Sequence, residues 1–491
     1  MRKVVMAWAA MSLCGGAAWG AVVVNPFPAI QPGISARIKH FTTIPGTQAG
    51  RPQTGVQQLK PVGDKSGRLF VNDTRGILYV TNKAGATPKP YLDLRAQNIG
   101  FSNAANSTQT GLMSFAFHPN FNQDPSQPGY RTAYTIDTTA ASAGTATWSL
   151  PGQPVSHHDV VREWTVADPA ASVATVTGMR EVMRLSQPRS DHGPGTIAFN
   201  SSAKPGSADY GKLYVGLGDG GGVNDPSRNA QNLQSPFGKI LRIDPADPDG
   251  AGPLSYGVPT DNPFAGQAGA RGEVWAYGLR NPQHFSWSAD GRMFIGEIGQ
   301  AQIEEVDLGK AGSNYGWPIR EGSYARGTGS DQKIYDTPAN PGMFVDPIAQ
   351  YDHEEIVRDG ISSLASLGSA FLYEGSLVPE LVGKLLVSDL VSGRLFYLDP
   401  NDPRAMFREL TLTLDGLPTT MRALEGYATA KRVDLRLGVD DRGEIYLLSK
   451  GNGDIYRLMQ AVPEPETWAM ALAGFGLLGW RLRRQRRLCR A

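Results

Sequence analysis

Cysteine is almost missing from this 491-residue chain: there are two, Cys14 and Cys489, one in each terminal segment. The body between them therefore has neither a disulfide framework nor a thiolate metal site. Histidine is sparse, seven in all, and no pair stands at the HExxH spacing of a zinc hydrolase. Charge of one sign is lacking too, with Lys plus Arg at 47 and Asp plus Glu at 46. That balance hides an asymmetry, because Arg2, Lys3 and an Arg-rich tail carry the positive excess. Without them the body is net negative by five, which leaves no basic footprint for nucleic acid. Long amphipathic helical stretches are absent between about 35 and 460. With 58 Gly and 35 Pro, a helical bundle is excluded. Aromatics at 9% with so little net charge exclude a disordered chain.

What fills the body is a short pattern that returns: a turn with Gly or Asp, then an apolar strand with an aromatic or Leu. It stands at SGRLFV (66–71), GKLYVGLG (211–218), DGRMFIGE (290–297), GKLLVSD (383–389) and RGEIYLLS (442–449). A second strand follows several copies, as GILYV (76–80), GKILRID (238–244), GRLFYLD (393–399) and GDIYRL (453–458). SFAFHP at 114–119 with YRTAYTID at 130–137 fills the long gap after the first copy. Strand pairs recurring in this way predict an all-β, six-bladed β-propeller over 35–460. A propeller closes by pairing its chain ends, here the strands near 38–43 and 442–458. Its working residues belong on the loops at the channel mouth.

The two ends read as addresses. Residues 1–21 have the layout of a secretory signal: Arg2 and Lys3, an apolar run from Val4 to Leu13, and Ala18-Trp19-Gly20 as cleavage site. The C-terminus reads VPEPE at 462–466, an apolar stretch from Trp468 to Trp480, and RLRRQRR at 481–487. The apolar part is shorter than the ~20 residues of a comfortable span, and the Arg cluster would hold that end in the cytoplasm. This tail resembles the PEP-CTERM sorting segment of Gram-negative bacteria. The resemblance implies processing by an exosortase. It also implies an exported protein, in the periplasm, on the outer surface or outside the cell, held at least transiently at the inner membrane by 462–491.

Three segments of the body are not explained as turns alone: Asp191-His192-Gly193-Pro194-Gly195, Tyr277-Gly278-Leu279-Arg280-Asn281-Pro282-Gln283, and Gly296 to Trp317 with GEIGQAQIEEVDL and NYGW. Together with GLMSFAFHPNF (111–121), AQNLQSPFGKILRID (230–244) and VPELVGKLLVSDLVSGRLF (378–396), they resemble the soluble quinoprotein sugar dehydrogenases, the glucose/sorbosone dehydrogenase family. The GEIGQ…EEVDL…NYGWPIREG version is similar to a branch that also holds hedgehog-interacting-protein-like propellers. The resemblance implies a propeller that binds pyrroloquinoline quinone (PQQ) with Ca²⁺. It implies oxidation of an aldose at the anomeric carbon to the lactone, with electrons passed on to an unknown quinone or cytochrome.

On that resemblance His192 is the catalytic base. Arg280 is a catalytic and cofactor contact, and Gln109, Asn281 and Lys431 also touch the cofactor. Glu305 and the carbonyl of Tyr315 hold calcium, as do the carbonyls of Gly299 and Gln300. Glu304 and Asp307 read as solvated charges, and GDGG at 219–222 as a tight turn without the spacing of a calcium loop. The chain departs from the family pattern at Ile298, at Val391 where a Lys is expected, and at Lys431-Arg432-Val433-Asp434 where an Arg-x-Arg-Asp run is expected. Lys431, Arg432, Arg436 and Arg394 are the candidate replacements. The competing expectation is a non-catalytic surface propeller that binds glycan or protein.

Overall fold

The computed structural model describes residues 20–103, 109–246, 255–327, 329–336, 343–353, 365–427 and 432–461. The leader up to residue 19, the tail from 462 and Lys431 lie outside these. Within them the protein is a β-propeller of six four-stranded groups, the count expected of six blades. Helix among the described residues is limited to the single turn Met421–Leu424 and two 3₁₀ turns.

Blade 1 runs from its inner strand Val56–Pro61 to Lys89–Asp93, blade 2 from Leu112–Phe117 to Val176–Gln187, and blade 3 from Pro194–Phe199 to Val274–Tyr277. Blade 4 runs from His284–Trp287 to Ala349–Asp352, and blade 5 from Leu367–Leu372 to Arg408–Leu414. Blade 6 has Arg436–Val439, Ile445–Leu448 and Asp454–Gln460, and takes its outer strand, Gln31–Thr43, from the other end of the chain. Ala36 pairs with Gln460 and Thr43 with Asp454 in that closure. The same strand runs parallel beside Arg408–Leu414, which joins blades 5 and 6 in one sheet. Each inner strand contacts the next, and Arg436–Val439 contacts Val56–Pro61, so the ring is closed.

The recurring sequence pattern is the second strand of the blades. Gly67, Gly211, Gly291, Gly383 and Gly443 each precede one of these strands with φ between 76° and 88°, a conformation that costs an L side chain dearly. The turn glycine is thus what the repeat conserves within this chain. These second strands are buried on both faces, as in Leu213–Leu217 and Ile445–Leu448. Apolar clusters fill the space between neighbouring blades. A separate small sheet of Val22–Val23, Arg320–Glu321, Tyr324–Arg326 and Ile334–Tyr335 stands outside the blade pattern. Among the described residues no helix is long and apolar enough to cross a membrane.

Candidate active site

His192 lies two residues ahead of the blade 3 inner strand, on the connection from blade 2, and holds φ at 51°. Its neighbour across the turn is Gly218. A Cβ there would stand 2.4 Å from the His192 carbonyl oxygen, so only glycine lets the second strand of blade 3 end so close. That approach sets Asp219 against the imidazole. Nδ1 of His192 donates to Oδ1 of Asp219 at 2.7 Å. Asp219 also accepts from the Gly221 amide at 3.0 Å and, on Oδ2, from Nε1 of Trp317 at 2.8 Å. Burial alone would raise the Asp219 carboxyl, but the His192 ring, its hydrogen bond and Arg280 hold it below the ordinary value. With Nδ1–H committed to a carboxylate, a neutral imidazole carries its lone pair on Nε2. The segment 219–222 is a bend with three positive-φ glycines rather than a tight turn, and its first residue, Asp219, stands in the site, which spacing alone did not mark.

Arg280 and Asn281 occupy the connection from blade 3 to blade 4, and their amides both donate to Oε1 of Glu297, at 2.8 and 2.6 Å. Nη1 of Arg280 donates to the carbonyls of Ile298 (2.9 Å) and Gly299 (2.7 Å). Two guanidinium groups approach the Trp317 ring, with Arg280 at 5.5 Å and Arg326 at 4.6 Å from its centroid. Nδ2 of Asn281 reaches Oε1 of Gln109 at 3.4 Å, and Nε2 of Gln283 reaches the same oxygen at 3.2 Å. The Asp219 amide donates to the Arg280 carbonyl at 2.8 Å. Gln109, His192 and the adjacent pair Arg280 and Asn281, from three separate stretches of the chain, thus meet at one end of the channel. Arg280 and Gln109 keep partial exposure there.

The expected calcium residues lie on blade 4. The Gly299 carbonyl faces Arg280 as just described, and the Gln300 side chain bonds to Asn224, donating to its Oδ1 at 2.9 Å and accepting from its amide at 2.7 Å. Glu321 receives the amides of residues 300 to 303 on Oε1, at 2.8 to 3.1 Å, and so shapes this loop. Glu305 is paired in register with Glu297, and Asp307 is two residues further along the same strand face. Glu304 and Asp307 are not solvated: both are buried. Glu304 takes Nε2 of His353 at 2.8 Å and the Leu367 amide at 2.7 Å. Their strand lies inside a blade covered on both faces, and sequence alternation cannot show that.

Burial, and then mutual repulsion with Asp307 and Glu297, pushes Glu305 well above the carboxylate range; Asp307 and Glu297 are pushed up as well, chiefly by burial. Oε2 of Glu297 and both oxygens of Asp307 are buried without a hydrogen-bond partner. Such crowded hard oxygens suit Ca²⁺ in donor chemistry. Among the described residues no three His, Cys, Asp or Glu side chains already converge as a cage.

Of the proposed replacement cations, Arg394 is turned to the outer strand of blade 5, where it forms a two-point contact with Glu409 at 3.0 and 2.6 Å. Arg432 and Arg436 stand beside Asp434 at the channel. Val391 and Val433, which stand where cations are expected, are buried in the cores of blades 5 and 6, and the Val433 amide bonds to the Val391 carbonyl.

Residues 57–457 match the family described as Glucose / Sorbosone dehydrogenase, and 461–487 match the PEP-CTERM protein-sorting motif. HIPL1 protein of Arabidopsis thaliana is 29% identical over 375 residues, 68% of this chain and 50% of that protein. Aldose sugar dehydrogenase YliI of Escherichia coli is 29% identical over 191 residues, 35% of this chain and 45% of that one. The chain spans about half the length of the curated relatives it matches. The PQQ-bound aldose sugar dehydrogenase of Streptomyces coelicolor superposes with a TM-score of 0.53 at 22% identity, covering 87% of this chain and 99% of that one.

Proposed function

The chain belongs to the glucose/sorbosone dehydrogenase family, and from that premise we propose that it is an exported PQQ-dependent aldose dehydrogenase. The observation that carries the proposal is the buried His192–Asp219 pair beside Arg280, Asn281 and Gln109. Bound PQQ would supply the oxidant, taking a hydride from C1 of the sugar. His192 Nε2 takes the proton of the C1 hydroxyl, so that the sugar leaves as its lactone. Asp219 holds the ring in the required tautomer and stabilises the imidazolium that forms. The planar fork of Arg280 meets carbonyl or carboxylate oxygens, as it already meets the carbonyls of Ile298 and Gly299. Glu305 with the Tyr315 carbonyl would hold Ca²⁺, and so would the carbonyls of Gly299 and Gln300.

One observation favours a second reading, a surface propeller that binds glycan or protein without catalysis: valines stand, buried, at two positions where cations for the cofactor are expected. Reconstitution of the purified protein with PQQ and Ca²⁺, read by dye reduction across several aldoses, separates the two. Turnover with at least one aldose is expected. Demonstrated PQQ binding with reduction by none of them would favour the binding module.

A further inference from the structure

Asp434 repeats the geometry of His192 on another blade. It lies two residues ahead of the blade 6 inner strand, with φ at 58°, and is buried. Three cations converge on its carboxylate. Nζ of Lys450 contacts Oδ2, while Nη2 of Arg432 and Nη2 of Arg436 stand 3.3 and 3.4 Å from Oδ1. Lys450 comes from the loop between the second and third strands of blade 6, and its carbonyl is tied to the Thr54 amide at 3.2 Å. Arg436 and Lys450 are buried, and Nε of Arg436 has no hydrogen-bond partner. Nη1 of Arg436 stands 3.5 Å from Gln283, which in turn touches Gln109. The cluster therefore adjoins the site of His192 and Arg280.

Buried charges are stable when paired, and here three cations share one carboxylate. A second carboxyl near the cluster, Glu425, accepts from Ser449 Oγ at 2.7 Å. Burial pushes it up to about 7, so near neutral pH it offsets only part of one charge. Among these described groups at least one positive charge is left over.

We infer that the cations around Asp434, with Lys450 as the member drawn from the neighbouring loop, bind the carboxylates of a ligand that carries two or more of them. Lys450 thereby makes good one of the two cations missing at Val391 and Val433. The identity of the ligand as PQQ rests on the proposed function; the anionic character of the site does not.

The test uses the full chain with two probes, PQQ in the presence of Ca²⁺ and citrate as a simple tricarboxylate, each titrated by calorimetry. Lys450→Gln is expected to weaken PQQ at least tenfold, and Lys450→Arg to restore most of that loss. The ligand-free thermal midpoint of Lys450→Gln should not fall, because two cations still face Asp434; a merely structural ion pair would lower it. Should Lys450→Gln fail to fold, Arg432→Gln, whose side chain is more than a third exposed, takes its place with the same readout. Unchanged PQQ affinity in the variants would overturn the inference and leave the quinone reading intact. Citrate binding that depends on Lys450, with no PQQ binding by wild type, would keep the inference and remove the quinone reading. Binding of neither probe would overturn it.

Discussion

His192 depends on a chain of two residues that come from two other loops of the fold. Asp219 fixes its tautomer, and Trp317 holds Asp219 from the far side. His192→Gln keeps a polar side chain of similar size but removes the proton acceptor, so turnover should fall about 10²–10⁴-fold. PQQ affinity should change far less, since Arg280, Asn281 and the blade 6 cations remain. Asp219→Asn is expected to cost a similar factor in kcat, because an amide no longer enforces Nδ1–H. Arg280→Lys should show the reverse balance, losing cofactor affinity along with rate, because a point charge replaces a fork. Stopped-flow dye reduction beside equilibrium PQQ titration distinguishes these patterns. Near wild-type turnover in His192→Gln with quinone bound would make His192 a turn residue. His192, Arg280 and Asn281 could be singled out from the sequence because their motifs resemble those of a known family, His192 also by its small, turn-forming neighbours. Asp219 could not, since its GDGG setting is shared by any tight turn and its partner lies 27 residues away.

At the scale of single elements, the strand Gln31–Thr43 carries more than its position near the start of the chain suggests. Ile38 is 1% exposed and packs with Leu458 and Leu447 in the blade 5 and 6 core. Ile38→Ala should cost about 2–5 kcal/mol, measured by urea unfolding, whereas Val24→Ala, 73% exposed, should stay within about 0.5 kcal/mol. An equal, small effect of both would mean that the closure contributes little to stability. The helical turn Met421–Leu424 sets Glu425 beside Ser449 in the same blade. Its folded-state value is raised to about 7 from an ordinary 4.5. The folded protein therefore keeps a proton that the unfolded chain has lost between these values. The resulting stability is complete below about 4.5 and is lost as pH rises through about 7. Glu425→Gln should match wild type near pH 5 and exceed it at pH 8, by up to about 3 kcal/mol. Thermal melts at the two pH values check the sign, and a variant less stable at pH 8 would show that the carboxylate is satisfied there.

For the molecule as a whole, the blades form a closed ring that ends at residue 460, one residue before the matched sorting motif. Removal of 462–491 is therefore expected to give a folded protein with the same thermal midpoint, since the ring needs nothing beyond Gln460 for its closure. Differential scanning calorimetry of the two forms decides this, and a lowered midpoint or aggregation of the shorter form would mean that the tail packs on the propeller.

The β class, the blade repeat and the closure by chain ends were legible along the chain. These rest on local rules: turn glycines with positive φ, strand-length apolar runs and the absence of helical periodicity. The sequence also marked His192, Arg280 and Asn281. The folded chain was needed to show that Asp219 bonds to His192, that Glu304 and Asp307 are buried, and that Arg394 turns to Glu409. It alone brought Lys450 to Asp434. Each of these is a pairing between strands or loops whose distance in sequence carries no signal. Burial of a charged residue depends on which blade covers it, and composition along the chain does not encode that.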